Sequence, residues 1–542
     1  MKYLLITVLS FFYISGFSQV DENLWRTYDN PQGTFEELQE SFNQYWENRP
    51  YEKGKGYKQY KRWETYMNPR IYPSGDMTLP STNYQNFTEW YNTQPGNLKT
   101  ANNWTELGPF AKPTGDDTGV GRLNFVRFNP LKHSTMYVGA PDGGLWKSIN
   151  SGASWTTNHD FLAIIGVADL VIHPTDTSIM YLATGDVEGD RTSHGVWKST
   201  NGGANWNITG LVWIAGDNYK ISKLLMHPSN SNILLAATNG GVYKTSDAGL
   251  TWTLKSADRD FKDMEFKPGD PNTVYVAGKE FWKSTDNGDT WTQITSGLPA
   301  ASNVARIALA VTAADATYVY AVIGNEVGSG LNGLYRSTNS GTSFTIVTQT
   351  APAKNILGYV TDGSDTNGQA FYDLAIAVAP DDKNFITVGG VNMWNTTDGG
   401  VNWTIMSHWS PDPNYQFVHA DIHEINYLPG STTTFFACND GGISKTTNNG
   451  VTWTDISNNL RISQQTTVGI SATNASKIVA GLQDIGTIYT DGTWKVIGGG
   501  DGEDCFIDWS NDNNIVITGT NGSHERSTMV ERVLPILLQG FQ

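Results

Sequence analysis

The sequence predicts an all-β protein, a multi-bladed β-propeller with a short helical N-terminal lead. Three observations carry this. The 542 residues include 56 Gly and 19 Trp, yet only 16% are charged, a composition of strands and tight turns rather than helical bundles. One phrase, [ST]-x-[DN]-x-G-x-[STN]-[WF], recurs seven times, from Ser148–Trp155 to Thr446–Trp453. Its aromatic positions (Trp155, Trp206, Trp252, Trp291, Phe344, Trp403 and Trp453) lie 39 to 59 residues apart. A period near 50 in a β-rich chain is the spacing of four-stranded blades.

In chain order, residues 1–18 read as a secretory signal peptide. Lys2 precedes an apolar run, and small residues Gly16 and Ser18 stand before a cut at Gln19. The run is too short to span a membrane, so the expectation is a secreted or cell-surface protein without a membrane span. Residues 19–100 form a lead segment. Phe35, Leu38 and Phe42 have helical spacing after Thr34. The basic, aromatic stretch from Lys53 to Gly75 is expected to lay its long stems and rings on the flank of a neighbouring domain. A net charge of −17 argues against nucleic acid as a partner.

Residues 101–528 carry the blades. Before each phrase come two strands, the first ending in a Pro phrase (VRFNP, LVIHP, LLMHP, MEFKP) and the second reading MYVGA, MYLAT or ILLAAT. Two further modules after Trp453 lack a good phrase, making nine blade starts with the last incomplete. Asn103–Leu107 is expected to be an outer strand that closes the ring on the last blade. One large ring and two smaller rings both fit. Residues 529–542 lack the glycine turn and the aromatic, and read as a frame-shifted tail. Cys438 and Cys505 lie in apolar runs, either as buried thiols or as one bridge.

The repeated phrase resembles the Asp-box (BNR) repeat of sialidases, sortilin-type receptors and xyloglucanases. In it the Asp or Asn side chain accepts from turn amides, Gly supplies positive φ, and the aromatic fills the blade core. The phrase itself is therefore structural. The early Arg-Ile-Pro phrase of sialidases has only Arg306-Ile307-Ala308 to answer it, in mid-chain. No P-loop, dinucleotide fingerprint or nucleophile elbow is present.

Innermost strands line a propeller's channel, so their charges (Arg122, Asp169, Lys223, Asp263, Arg306, Asp373, Asp421 and Asp504) are either compensating or functional. His419, Asp421 and His423 alternate on one face of a strand, suiting hydrogen bonding or part of a divalent-metal site. The acidic loops Gly115-Asp116-Asp117 and Gly185–Asp190 are candidates for Ca²⁺. Arg122, Asp186, Asp373, Glu503 and Asp504 are the candidate ligand-binding residues.

The first functional expectation is a sortilin-like propeller that binds an extracellular protein, peptide or glycan. The alternative is a glycoside hydrolase, since Gly119–Val126 followed by MYVGAPDGGLWKS resembles the opening of xyloglucan-cleaving propellers. That resemblance implies Asp142, before Gly143-Gly144, as one catalytic carboxylate. Asp501 in the glycine-rich loop 498–504 is the candidate second, because glycoside hydrolysis needs two. The same Asp-Gly-Gly turn recurs at Asp440.

Overall fold

The computed structural model describes residues 21–28, 32–52, 55–80, 105–115, 118–157, 165–189, 191–213, 217–256, 259–529 and 532–535, with isolated positions between. The signal-peptide residues, Asn103, Trp104, Asp116, Asp117 and Asp190 lie outside the described residues. The chain divides into two compact units, the first ending at Asn83 and the second beginning at Tyr84.

The first unit is a helical pair. Thr34 caps α1 (Phe35–Trp46) in a reciprocal box with Glu37, which satisfies two amides that the first turn leaves open. The face Phe35, Leu38 and Phe42 packs against Tyr60, Trp63, Met67 and Ile71 of α2 (Tyr57–Ile71) and against Trp25. Phe42 and Tyr60 stack at 4.2 Å. Of the aromatics in the basic stretch, Tyr60 and Trp63 are buried inside the helical pair and Tyr57 and Tyr66 pack against them, whereas Tyr72 is exposed. The 3.6-residue repeat of Tyr60, Trp63, Met67 and Ile71 is the physical reason.

Among the described residues the second unit contains nine four-stranded antiparallel sheets, each running in sequence order from its innermost to its outermost strand. Blades 1 to 7 begin at Phe125, Val167, Ile221, Asp263, Val304, Ala375 and Ile422, and blades 8 and 9 at Gln465 and Gly502. The ninth sheet is not truncated: Arg532–Pro535 pairs with Ser523–Met529 as its fourth strand.

The apolar layers lie between blades. Phe125 and Tyr137 meet Leu170 and Trp197 between blades 1 and 2, and equivalent layers follow around to blades 6 and 7. The seventh layer closes the circle, setting Val126, Trp146 and Trp155 of blade 1 against Phe436, Cys438 and Ile443 of blade 7. The seam is hydrogen-bonded by Val126 N to Glu424 Oε2 (2.8 Å), Asn426 Nδ2 to Val126 O (3.1 Å) and Trp155 Nε1 to Ile456 O (2.7 Å). Blades 1 to 7 therefore form one closed ring.

Blades 8 and 9 stand outside it and share their own layer of Val479, Tyr489, Cys505 and Ile517. The segment 105–115 does not pair with the last blade. It runs beside the outer strand of blade 8, where Val496 N donates to Thr114 O at 2.9 Å and Trp494 Nε1 to Leu107 O at 2.9 Å.

Each repeated phrase forms the turn between the third and fourth strands. In blade 4, Asp286 Oδ1 accepts from Ser284 Oγ (2.7 Å) and Thr290 N (2.9 Å), and Gly288 takes φ +80°. Cys438 and Cys505 are both free and buried. Burial pushes the Cys505 thiol up to about 11.

Candidate active site

The ring's axis holds a cavity of about 510 Å³ lined from all seven blades. Its charges answer one another. Arg127 pairs with Asp169 at 2.5 Å and Glu424 at 2.6 Å, and Lys223 stands 3.8–3.9 Å from Asp263, Glu265 and Glu424. Burial, with Asp263 and Glu424 and against Lys223, pushes the Glu265 carboxyl up to about 7.

The loop between the second and third strands of blade 2 crosses one end of this cavity. Its Asp186 pairs with Arg122, next to blade 1, and its Glu188 with Arg306 of blade 5 at 2.8 Å. These pairs engage Asp186 and Glu188, two of the carboxylates that the sequence offered to Ca²⁺. Arg122 and Asp186 bind each other, both being almost fully buried.

Asp373 is also buried beside them, 1% exposed. Burial, reinforced by Asp421 and Asp440, raises its carboxyl well above the usual range. Glu503 and Asp504 lie apart, exposed on the innermost strand of blade 9. The five candidate ligand residues therefore do not converge, since strand order sends three to the ring mouth and two to another blade.

The His419, Asp421 and His423 trio is not one strand face. Asp421 has φ +64° and the strand starts only at Ile422, so the expected alternation breaks. His419 Nε2 lies 3.1 Å from Asp484 O, Gln369 Nε2 donates to Asp421 at 2.9 Å, and His423 Nε2 meets Asp440 Oδ1 at 2.7 Å. Although burial opposes it, the His423 contact, with Arg122, holds the Asp440 carboxyl below its usual range. Among the described residues no group of three His, Cys, Asp or Glu side chains could hold a metal ion.

Asp142 has a different setting. It sits in the three-residue hairpin closed by the Ala140–Gly144 pair of blade 1. Arg191 grips it with two nitrogens, Nε to Oδ1 at 2.9 Å and Nη2 to Oδ2 at 3.0 Å. Gln464 Nε2 donates to Oδ2 at 3.0 Å from the other side.

Gln464 belongs to the segment entering blade 8, and its backbone carbonyl accepts from Gln483 N at 3.0 Å. The next residue is Asp484. It occupies the same hairpin position as Asp142, between Leu482 and Gly486, in a left-handed conformation with φ +58°. Such a backbone is tolerated by Asp but costs energy, and it clusters at functional sites. Asp501 stands behind it, its Oδ1 accepting from Asp484 N at 3.2 Å.

Asp484 was overlooked in the sequence because its turn reads Gln-Asp-Ile-Gly. Aligning it with Pro-Asp-Gly-Gly of blade 1 and Asn-Asp-Gly-Gly of blade 7 by strand position would have exposed it.

A chain of four-stranded blades closing into a ring is the β-propeller fold. The chain is 24% identical over 352 residues to a xyloglucanase of Acetivibrio thermocellus, covering 56% of this chain and 40% of that protein. It is 24% identical over 374 residues to a xyloglucanase of a Paenibacillus species, covering 58% and 34%. The chain thus spans well under half the length of these curated relatives. No family model matches it.

Solved structures of the same fold include a GH74 xyloglucanase from Xanthomonas campestris, with a TM-score of 0.55 at 14% identity over 80% of this chain and 75% of that one. The GH74 enzyme of Niastella koreensis has a TM-score of 0.50 at 18% identity over 77% and 72%. These findings overturn the sortilin-like binding expectation, which rested on a phrase that shapes turns and says nothing of ligand. Among the described residues no helix is long and apolar enough to cross a membrane.

Proposed function

We propose that the chain is a glycoside hydrolase of the xyloglucanase type, acting on β-glucan polysaccharide with Asp142 and Asp484 as its carboxylate pair. The observation that carries this is Gln464, which touches Asp142 with its side chain and the neighbour of Asp484 with its backbone. Two carboxyl groups on separate blades are thereby bracketed by one residue, as a reaction needing two carboxyl groups flanking one bond requires. Asp142, which accepts three N–H bonds, is the carboxylate that activates the attacking group. Asp484 supplies the acid to the leaving oxygen. Asp501, expected from sequence as the second catalytic group, braces the Asp484 backbone instead.

The test is release of reducing ends from xyloglucan and a β-glucan panel by the full chain. Asp142→Asn and Asp484→Asn should each lower release by at least a hundredfold, in line with the loss of an acid–base group. Asp501→Asn should cost far less. Release that survives both of the first two changes would remove the pair from the chemistry.

A further inference from the structure

The segment that leaves the ring for blade 8 is clamped, residue by residue, to the chain entering blade 1 and to the hairpin that carries Asp142. Ile462 lies against Gly143, where an added Cβ would come within 2.7 Å of its Cγ2. The carbonyl of Ile462 comes so close to Gly121 that a Cβ there would stand 2.3 Å away, and Gly121 itself adopts φ +123°. Ser463 Oγ donates to Val120 O at 2.9 Å. Gln464 then delivers its amide to Asp142 Oδ2. Three consecutive residues thus read the ring, and the third also holds the hairpin of blade 8 through its carbonyl.

The Arg191 fork aligns the Asp142 carboxylate with the blade 2 loop, but it does not relate that carboxylate to blade 8. A second donor from the opposite side fixes the carboxylate plane, because two donors on different rigid elements leave one orientation.

We infer that Gln464 is a positioning residue for glycoside cleavage: it sets the orientation of Asp142 and its separation from Asp484 without touching the substrate. The inference rests on the hydrolase reading and deepens it. The ring and blade 8 each have their own apolar layers, so contacts across them set the distance between their hairpins. His419 Nε2 meets Asp484 O at 3.1 Å, and Gln464 is the residue whose side chain holds Asp142 while its backbone holds the blade 8 hairpin.

Gln464→Leu keeps the bulk of the side chain and deletes the N–H donor. Hydrogen bonds to charged groups are worth roughly ten- to a hundredfold, so kcat on xyloglucan should fall by about tenfold or more. KM should stay within about twofold, since the substrate contacts remain. The acid limb of the pH–rate profile should move to higher pH, as the carboxylate loses a donor. Gln464→Glu, which sets a second carboxylate against Asp142, should fall further than Gln464→Leu.

A Gln464→Leu protein with unchanged kcat and pH profile would overturn the positioning role while leaving the hydrolase reading intact. A parallel fall of kcat, melting temperature and substrate affinity would overturn it as well, marking a structural contact only. A parent chain that binds and cleaves no glucan in the panel would overturn both.

Discussion

Replacing Arg127 with Met should weaken the ring at its seam. Arg127, on the innermost strand of blade 1, reaches Glu424 of blade 7 at 2.6 Å and Asp169 of blade 2 at 2.5 Å. The partners are 14% and 1% exposed at the side chain, so both carboxylates would be left buried without their cation. Removing one partner of such a group costs about 3–5 kcal/mol.

Other contacts soften the loss. Asp169 keeps bonds from the Leu170 and Leu224 amides at 2.8 Å each, and Glu424 keeps Val126 N and the more distant Lys223. The expected value is therefore near the lower figure, about 3 kcal/mol. Chemical denaturation followed by tryptophan fluorescence would read it.

A double-mutant cycle with Glu424→Gln makes the test specific. Gln retains an acceptor for Val126 N but no longer demands a cation, so the double variant should recover part of the loss, with a coupling of about 1.5 kcal/mol or more. Positions 127 and 424 touch only if blade 1 meets blade 7. A loss below about 1 kcal/mol with no coupling would refute the seven-bladed closure.

Glu265 binds more protons folded than unfolded, its carboxyl standing near 7 rather than 4.5. Its contribution to stability is therefore highest below about pH 4.5 and declines as pH rises through 7. Glu265→Gln should flatten that decline when denaturation midpoints are compared across pH 5 to 8. Asp286 has the opposite sign. Against the cost of burial, the Thr290 and Ser284 donors hold it down to about 2, so Asp286→Ala should lose roughly 1 kcal/mol at pH 7, and less as pH falls towards 2. Gly143→Ala should push the Asp142 hairpin off Ile462 and reduce cleavage with the fold retained, and Ile462→Ala should restore part of it. With both thiols buried, the native chain should react with a thiol reagent only after denaturation, read as absorbance of the released chromophore.

The blade was legible because its determinants are local. Asp286, Gly288 and Ser284 fulfil their turn within one hairpin, and the unbroken apolar run of MYVGA or MYLAT marks a strand buried on both faces. Phe35, Leu38 and Phe42 gave the first helix for the same reason, while the second helix was missed because its aromatics were assigned to another surface. Asp142 was legible as a carboxylate in a hairpin, though not its grip by Arg191 and Gln464, which come from 49 and 322 residues away. The metal reading of His419, Asp421 and His423 failed on one dihedral. A left-handed Asp421 turns a strand face into a bend, and residue alternation carries no warning of it.

The amino-acid sequence alone determined that this chain builds blades, how many there are, and which turns close them, since those depend on side chains within a few residues of each other. It left the ring size open. Whether the seventh blade meets the first or passes on to an eighth depends on how successive apolar layers stack, and on partners such as Val126 and Glu424 that lie about three hundred positions apart. The tertiary structure decided that, and by setting blade 8 against the closed ring it also tied the Asp142 hairpin, through Gln464, to the strand end beside Asp484.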